Sequence, residues 1–311
     1  MKRLVLFIAA GLIFAAYMER VEALSQGENA NDTNEAQEWF QKGHDASDPN
    51  EQVEYYKRAI AIDPNYIDAY INLGNVYNNR GMLDEAIIEY KKALVINAND
   101  FWTHNNLGIA YDRKGKLDEA IVEYKKAIEI TPDIAAVHCN LGVAYKRKKL
   151  LEKAMFEIKK AITIDSNNTV AHYNLGTVYA EKGALDDAIA EFEKALSTNA
   201  SFIEAHYDLG LTYEKKKKVD EAIAEFKNVI SVNPNYANAH NSLALQYLKK
   251  GLVSLAADHW YKAGLLYLEE GDRDSAFKVY EELKRNKLKE QEQSLLQKLN
   301  PEKGKKSESS Q

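Results

Sequence analysis

Large apolar residues return every three or four positions through most of the chain, and the order in which they return is itself repeated. Asn-Leu-Gly at 72–74, 106–108, 140–142 and 174–176, then Asp-Leu-Gly at 208–210 and Ser-Leu-Ala at 242–244, stand 34 residues apart each time. With units numbered from Ile67, Phe101, Ala135, Thr169, Ile203 and Ala237, a ring or leucine occupies positions 4, 7 and 11 and glycine position 8. In the second unit these are His104, Leu107, Tyr111 and Gly108, the i, i+3, i+4, i+7 stripe of an amphipathic helix. A second stripe follows, with alanine at position 20 (Ala86, Ala120, Ala154, Ala188, Ala222, Ala256) and an aromatic at 24 (Tyr90, Tyr124, Phe192, Phe226, Trp260). Position 27 is also alanine, except for Val229. Small residues at 8 and 20 let two helix backbones approach closely. Gly81, Gly115, Gly183 and Gly251 fall where the first helix needs a left-handed cap. Asp84, Asp118, Asp186 and Asp220 open the second helix, where a carboxylate is expected to satisfy free N–H groups. Pro64, Pro132 and Pro234 stop second helices. The pattern predicts one helix hairpin per unit.

This arrangement resembles the tetratricopeptide repeat (TPR) family over roughly residues 33–286, with five units in strict register. The resemblance implies an all-α fold, a right-handed TPR α-solenoid of about eight helix pairs, whose first helices line the inner wall. The ends depart from the pattern. Residues 33–66 form a unit about three residues short, and after Trp260 the phase breaks, because Ala256 to Ala276 spans 20 residues rather than 34. One longer helix, about 253–270, is expected to serve two neighbouring units. The reading divides the chain into a flexible leader at 24–34, a solenoid at 35–286, a capping helix at 287–300 carrying Leu288, Leu295, Leu296 and Leu299, and a disordered tail at 301–311. Atypical end repeats fit the need to shield a stack from water.

Composition changes this picture at the N-terminus. Lys2 and Arg3, the apolar run 4–17 and Val21-Glu22-Ala23 have the three-part layout of a signal peptide over residues 1–23. The apolar run is shorter than the ~20 residues of a membrane-spanning helix. The expected location is periplasmic or secreted; an uncleaved segment would instead tether the chain to a membrane. The single cysteine, Cys139, cannot form an internal disulfide, and reads as a small core residue or a cross-link to a partner. A formal charge of −6 lacks the basic footprint of a nucleic-acid binder.

Candidate chemistry is sparse. No Gly-rich phosphate loop, paired-cysteine spacing, H-E-x-x-H or G-x-S-x-G occurs, so no catalytic residue and no cofactor is expected. Histidine fills position 4 in five units (His104, His138, His172, His206, His240). That column lies on the apolar stripe and reads as core packing rather than as metal ligands. The asparagines at position 6 (Asn72, Asn106, Asn140, Asn174) fall on nearly the opposite side of the first helix. They share that face with Asn75, Trp102, Ile109, Arg113, Val143, Arg147, Val170, Leu211, Lys215, Leu245 and Lys249. The Asn-Leu-Gly units further resemble the repeat domain of O-linked N-acetylglucosamine transferases. That likeness implies an asparagine ladder, Asn72, Asn106, Asn140 and Asn174, gripping the backbone of a bound segment, and Trp102, Asn75, Arg113 and Arg147 on the same helix face complete the candidate groove. Here Asp208 and Ser242 interrupt the ladder. The resulting expectation is an exported adaptor that holds an extended segment of a partner protein, with neither metal nor nucleic acid. Two alternatives stand beside it: a self-associating (homo-oligomeric) or envelope-anchored component of an assembly, and an accessory subunit that presents substrate to a separate enzyme.

Overall fold

The computed structural model describes residues 30–299; residues 1–23, read above as a signal peptide, and 301–311, read as a tail, lie outside the described residues. It consists of sixteen helices and, among the described residues, no strand. Two compact units meet at Pro132/Asp133. The first contains α1 (Ala30–Asp45), α2 (Pro49–Ile62), α3 (Ile67–Asn79), α4 (Leu83–Ile96), α5 (Phe101–Arg113) and α6 (Leu117–Ile130). The second contains α7 (Ala135–Arg147), α8 (Leu151–Ile164), α9 (Thr169–Lys182), α10 (Leu185–Thr198), α11 (Ile203–Lys215), α12 (Val219–Val232), α13 (Ala237–Lys249), α14 (Val253–Glu269), α15 (Arg273–Arg285) and α16 (Lys289–Leu299). Within each unit consecutive helices pack as hairpins and each hairpin stacks on the next, the layering of an α-solenoid. Helix α1 begins at Ala30, inside the stretch 24–34 read as a leader.

The small residue at position 8 sets the spacing of each hairpin. A Cβ on Gly74, Gly108, Gly176 or Gly210 would stand 2.6–2.7 Å from the buried ring at position 24: Tyr90, Tyr124, Phe192 or Phe226. In the first pair Gly43 meets Tyr56 in the same way. The three missing residues therefore shorten the end of α1, which stops at Asp45 two residues after Gly43, and leave its packing on α2 intact.

First helices end at position 15 in the left-handed region. Gly81, Gly115, Gly183 and Gly251 serve there without strain, whereas Lys149 and Lys217 adopt φ of 61° and 59°, a conformation that costs an L-residue about 1 kcal/mol. The acids expected to cap second helices do something else. Cap residues Met82, Lys116, Ala184 and Lys218 make no side-chain cap hydrogen bond. Asp84, Asp186 and Asp220, in the first turn, instead accept Lys114, Lys216 and Lys250 of the following repeat, and Glu152 accepts Lys182. A carboxylate here is favoured by the helix dipole and clips one repeat to the next. These pairs are largely solvent-exposed, where each is worth 0–1 kcal/mol at most.

At the C-terminal end, α14 runs for 17 residues where its counterparts run for 13 or 14. It packs on α13 along one part and on α15 and α16 along another. Trp260, fully buried, joins Phe226, Leu243, Tyr247, Tyr267, Val279, Leu283 and Leu295 in a single apolar cluster. Leu295 and Leu299 of α16 are buried, and a Cβ on Gly264 would meet Leu295 at 2.6 Å, so α16 covers the far side of α14.

Candidate functional site

Each histidine of the position-4 column is buried and bonded at both ring nitrogens or at Nδ1. Nδ1 of His104, His138, His172 and His206 lies 2.6, 2.7, 2.6 and 2.5 Å from Oε2 of Glu123, Glu157, Glu191 and Glu225 on the paired helix. Nε2 of His104, His172 and His206 meets the carbonyls of Ala98, Ser166 and Ala200 in the preceding turn. An N–H donated to a carbonyl by Nε2 means the Nδ1–carboxylate contact needs a second proton, shared between ring and acid. These dyads tie first helix, second helix and turn together. The glutamate at position 23, always nineteen residues after the histidine, escaped the sequence reading although its spacing is constant. Among the described residues no three His, Cys, Asp or Glu side chains gather as metal ligands would.

The sixth repeat breaks the rule. His259 replaces the glutamate, and its Nδ1 lies 2.8 Å from Nδ1 of His240. His240 Nε2 faces the Pro234 carbonyl at 3.0 Å, so it carries the proton and His240 Nδ1 accepts from His259. Burial lowers the pKa of both rings; His259, also facing His240 and Lys227 and only partly offset by Asp258, falls to about 4. Lys262 adds to the lowering at His240. A folded pKa below the unfolded value of about 6.5 means stability is complete above pH 6.5 and is lost as pH falls toward 4. Going from pH 7 to pH 5 should cost this unit roughly 1 kcal/mol after allowance for solvent screening. His259→Glu, which restores the pairing of the other repeats, should flatten that acid limb in melts followed by circular dichroism; an unchanged limb would place the sensitivity elsewhere.

The opposite faces of the first helices carry the groove candidates. In the first unit α3 and α5 touch. Asn75 Oδ1 accepts from Tyr90 Oη at 2.7 Å and from Asn106 Nδ2 at 3.1 Å, and Arg113 donates to Asn78 Oδ1 at 2.9 Å. Asn72 Nδ2 donates to the Asp68 carbonyl of its own helix at 2.8 Å. Trp102 is 52% exposed and lies against Phe101. In the second unit Asn140 is half-buried and Arg147 exposed on α7. Asn174 is only 8% exposed, donating to the Val170 carbonyl at 2.9 Å with Cys139 Sγ at 3.7 Å. Burial pushes the Cys139 thiol up, away from the reactive thiolate. Asn72, Asn106 and Asn174 thus each use an amide N–H inside the fold. Asn72 and Asn106 can still offer a ligand the other N–H and an oxygen lone pair, whereas both N–H groups of Asn174 are directed at the Val170 carbonyl and Cys139 Sγ.

A concavity opens where the asparagine column ends. Between α7, α9 and α11 a pocket of about 320 Å3 is lined by Lys146, Tyr173, Thr177, Glu181, Asp208 and Lys215 over an apolar base that includes Phe192 and Leu211. Tyr173 Oη donates to Asp208 Oδ2 at 2.9 Å, and Lys146 Nζ donates to Thr177 Oγ1 at 2.8 Å. Burial pushes the Asp208 carboxyl up, against the opposing pull of the Tyr173 hydroxyl and of Lys146 and Lys215. Burial also lowers the Lys146 ammonium, opposed by the charges of Glu181 and Asp208. Lys146, Tyr173 and Thr177 were not among the sequence-derived groove residues, and Asp208 was read only as a gap. Their signal is the offset: partners on adjacent first helices stand 35 or 31 residues apart (Tyr173–Asp208, Asn78–Arg113, Lys146–Thr177, Asn75–Asn106), so aligning columns at 34 hides them.

Profiles described as TPR repeat match residues 74–115, 113–149, 176–217 and 215–251, and profiles described as Tetratricopeptide repeat match 55–88, 135–168 and 260–286. No curated protein matches the chain. Among solved structures, one of MamA is 29% identical over 53% of this chain and 96% of its own, with a TM-score of 0.50. A tetratricopeptide repeat protein from Parabacteroides merdae is 19% identical over 79% of this chain and 99% of its own, TM-score 0.63. PilF from Pseudomonas aeruginosa is 22% identical over 75% and 97%, TM-score 0.54. The last two share the fold alone.

Proposed function

Since the chain belongs to the tetratricopeptide repeat family, a family of protein-interaction scaffolds, we propose that it is an exported, non-catalytic adaptor that holds an extended segment of a partner protein on the outward faces of its first helices. The single observation that carries this reading is the pocket between α7, α9 and α11, where polar side chains from three successive first helices converge over an apolar base. A site assembled from one residue or two per helix reads a ligand that runs across helices, which an extended polypeptide does. Half-exposed Trp102 and Val170 add apolar area to the same faces, and exposed apolar side chains beside hydrogen-bonding groups mark interaction surfaces. Export rests on the N-terminal segment, with Lys2 and Arg3 ahead of the apolar run and Val21-Glu22-Ala23 after it. No described helix is long and apolar enough to cross a membrane.

Site-specific cross-linking tests the face. A photo-reactive side chain at Trp102 or Leu211, on first helices, should give partner adducts in cells. The same group at Val95 or Val122, exposed on second helices α4 and α6, should not. Equal yields from both sets would remove the reading.

A further inference from the structure

The charge balance of the pocket specifies what the held segment must carry. Of the four acidic and basic side chains lining it, Glu181 is already engaged, its Oε2 lying 2.9 Å from Lys149 Nζ. Asp208 accepts the Tyr173 hydroxyl, and burial pushes its pKa up against the pull of Lys146 and Lys215. Lys146 is half-buried and donates to the uncharged Thr177 hydroxyl. Lys215 stands exposed at the rim. Among the described residues neither lysine is in an ion pair. The charges of Glu181 and Asp208 reach the Lys146 ammonium without forming an ion pair, so an anion at contact distance would compensate its partial desolvation further. Lys114, Lys182, Lys216 and Lys250, which clip neighbouring repeats, each have an acid partner at contact, whereas Lys146 has a hydroxyl in that place.

The walls narrow the class of anion. Ala180 and Leu211 present apolar surface, which suits an aliphatic stem. Asp208 and Glu181 beside the lysines disfavour a doubly charged group such as a phosphate, whereas a carboxylate brings one charge. The volume of about 320 Å3 admits a side chain together with part of its main chain. We propose that this pocket is a subsite for the carboxylate of an aspartate or glutamate side chain in the bound segment, seated between Lys146 and Lys215, with a neighbouring main-chain N–H of the segment donating to Asp208. The assignment rests on the groove reading above and adds the residue that the groove selects.

Three eleven-residue probes of alternating serine and alanine, labelled with fluorescein and, but for one, amidated at the C-terminus, test it by anisotropy against the full chain. One has a central glutamate, one a central glutamine, and one a central glutamine with a free C-terminal carboxylate. The glutamate probe should bind about tenfold more tightly than its glutamine twin, the worth of a charge-assisted hydrogen bond. In Lys146→Met that advantage should disappear while the helical melt is unchanged. Should Lys146→Met fail to fold, Thr177→Val, which removes only the hydroxyl orienting the ammonium, should reduce the advantage severalfold. Raising the salt concentration should weaken the glutamate probe selectively. Equal binding of the glutamate and glutamine probes overturns the subsite and leaves the groove standing. Preference for the free C-terminus over glutamate overturns the side-chain assignment in favour of a chain end. Binding of none of the three overturns both the subsite and the groove.

Discussion

Replacing Trp260 by alanine should destabilise the C-terminal unit by about 4 kcal/mol, within the range for deleting a large buried aromatic. The indole is fully buried in one cluster with side chains from α12 to α16, and its Nε1–H donates to Asn241 Oδ1 at 3.1 Å. Truncation therefore opens a cavity and leaves Asn241 without its donor in one step. The surrounding helices are poorly able to collapse into the space, because α14 is held on one side by α13 and on the other by α15 and α16. At roughly 2–4 °C per kcal/mol for a unit of this size, the melting transition should fall by roughly 8–16 °C, and Trp260→Phe, which keeps most of the volume, by much less. Trp260 is the one tryptophan beyond Pro132, so calorimetry or circular dichroism is the appropriate readout for the variant. A loss below about 1 kcal/mol would mean that the end of the solenoid repacks freely.

Gly142→Val should cost about 3 kcal/mol by overpacking, against the direction of helix propensity, which favours valine over glycine by a few tenths of a kcal/mol. A Cβ at this position meets Ile158 Cγ1 at 2.5 Å and the Ala154 carbonyl oxygen at 3.1 Å. The first is an inner atom of a β-branched side chain that is itself fully buried, and the second is backbone. Neither retreats cheaply, so α7 and α8 must separate. The two effects have opposite signs, and thermal melting decides between them: unchanged or raised stability would show that the close approach is absent. Ala244, which fills the same position in the sixth repeat, marks how far the pattern tolerates even one added carbon when the partner is Trp260 rather than a phenyl or isoleucine.

The hairpins were legible because each rests on local spacing. Gly and Ala at positions 8 and 20, rings at 24 and the left-handed turn at 15 are all set within one unit, and even the longer α14 follows from where Ala276 falls. The candidate site was legible only as a face. Trp102 is exposed as that reading requires, but Asn72 and Asn174 turn an N–H toward their own helix backbones, a local bond that competes with display to a ligand. Amphipathic periodicity says which side of a helix a residue occupies. It does not say which neighbour its polar atoms choose. Asp84, Asp186 and Asp220 repeat the lesson: the first turn of a helix suggested caps, and lysines thirty residues away in the next repeat took the carboxylates instead.

The offset of 35 or 31 between partners on neighbouring first helices also bears on how such a chain can change length without losing its fold. Every cross-helix bond of this kind reaches one repeat away and no further, so an inserted or deleted residue disturbs only the seam whose count it alters. The first hairpin, three residues short and still closed by Gly43 on Tyr56, is a deletion absorbed in this manner. Coordinated substitution in related chains is accordingly expected at separations one more or three fewer than the repeat length, and the repeat length itself is where side chains are equivalent without being neighbours.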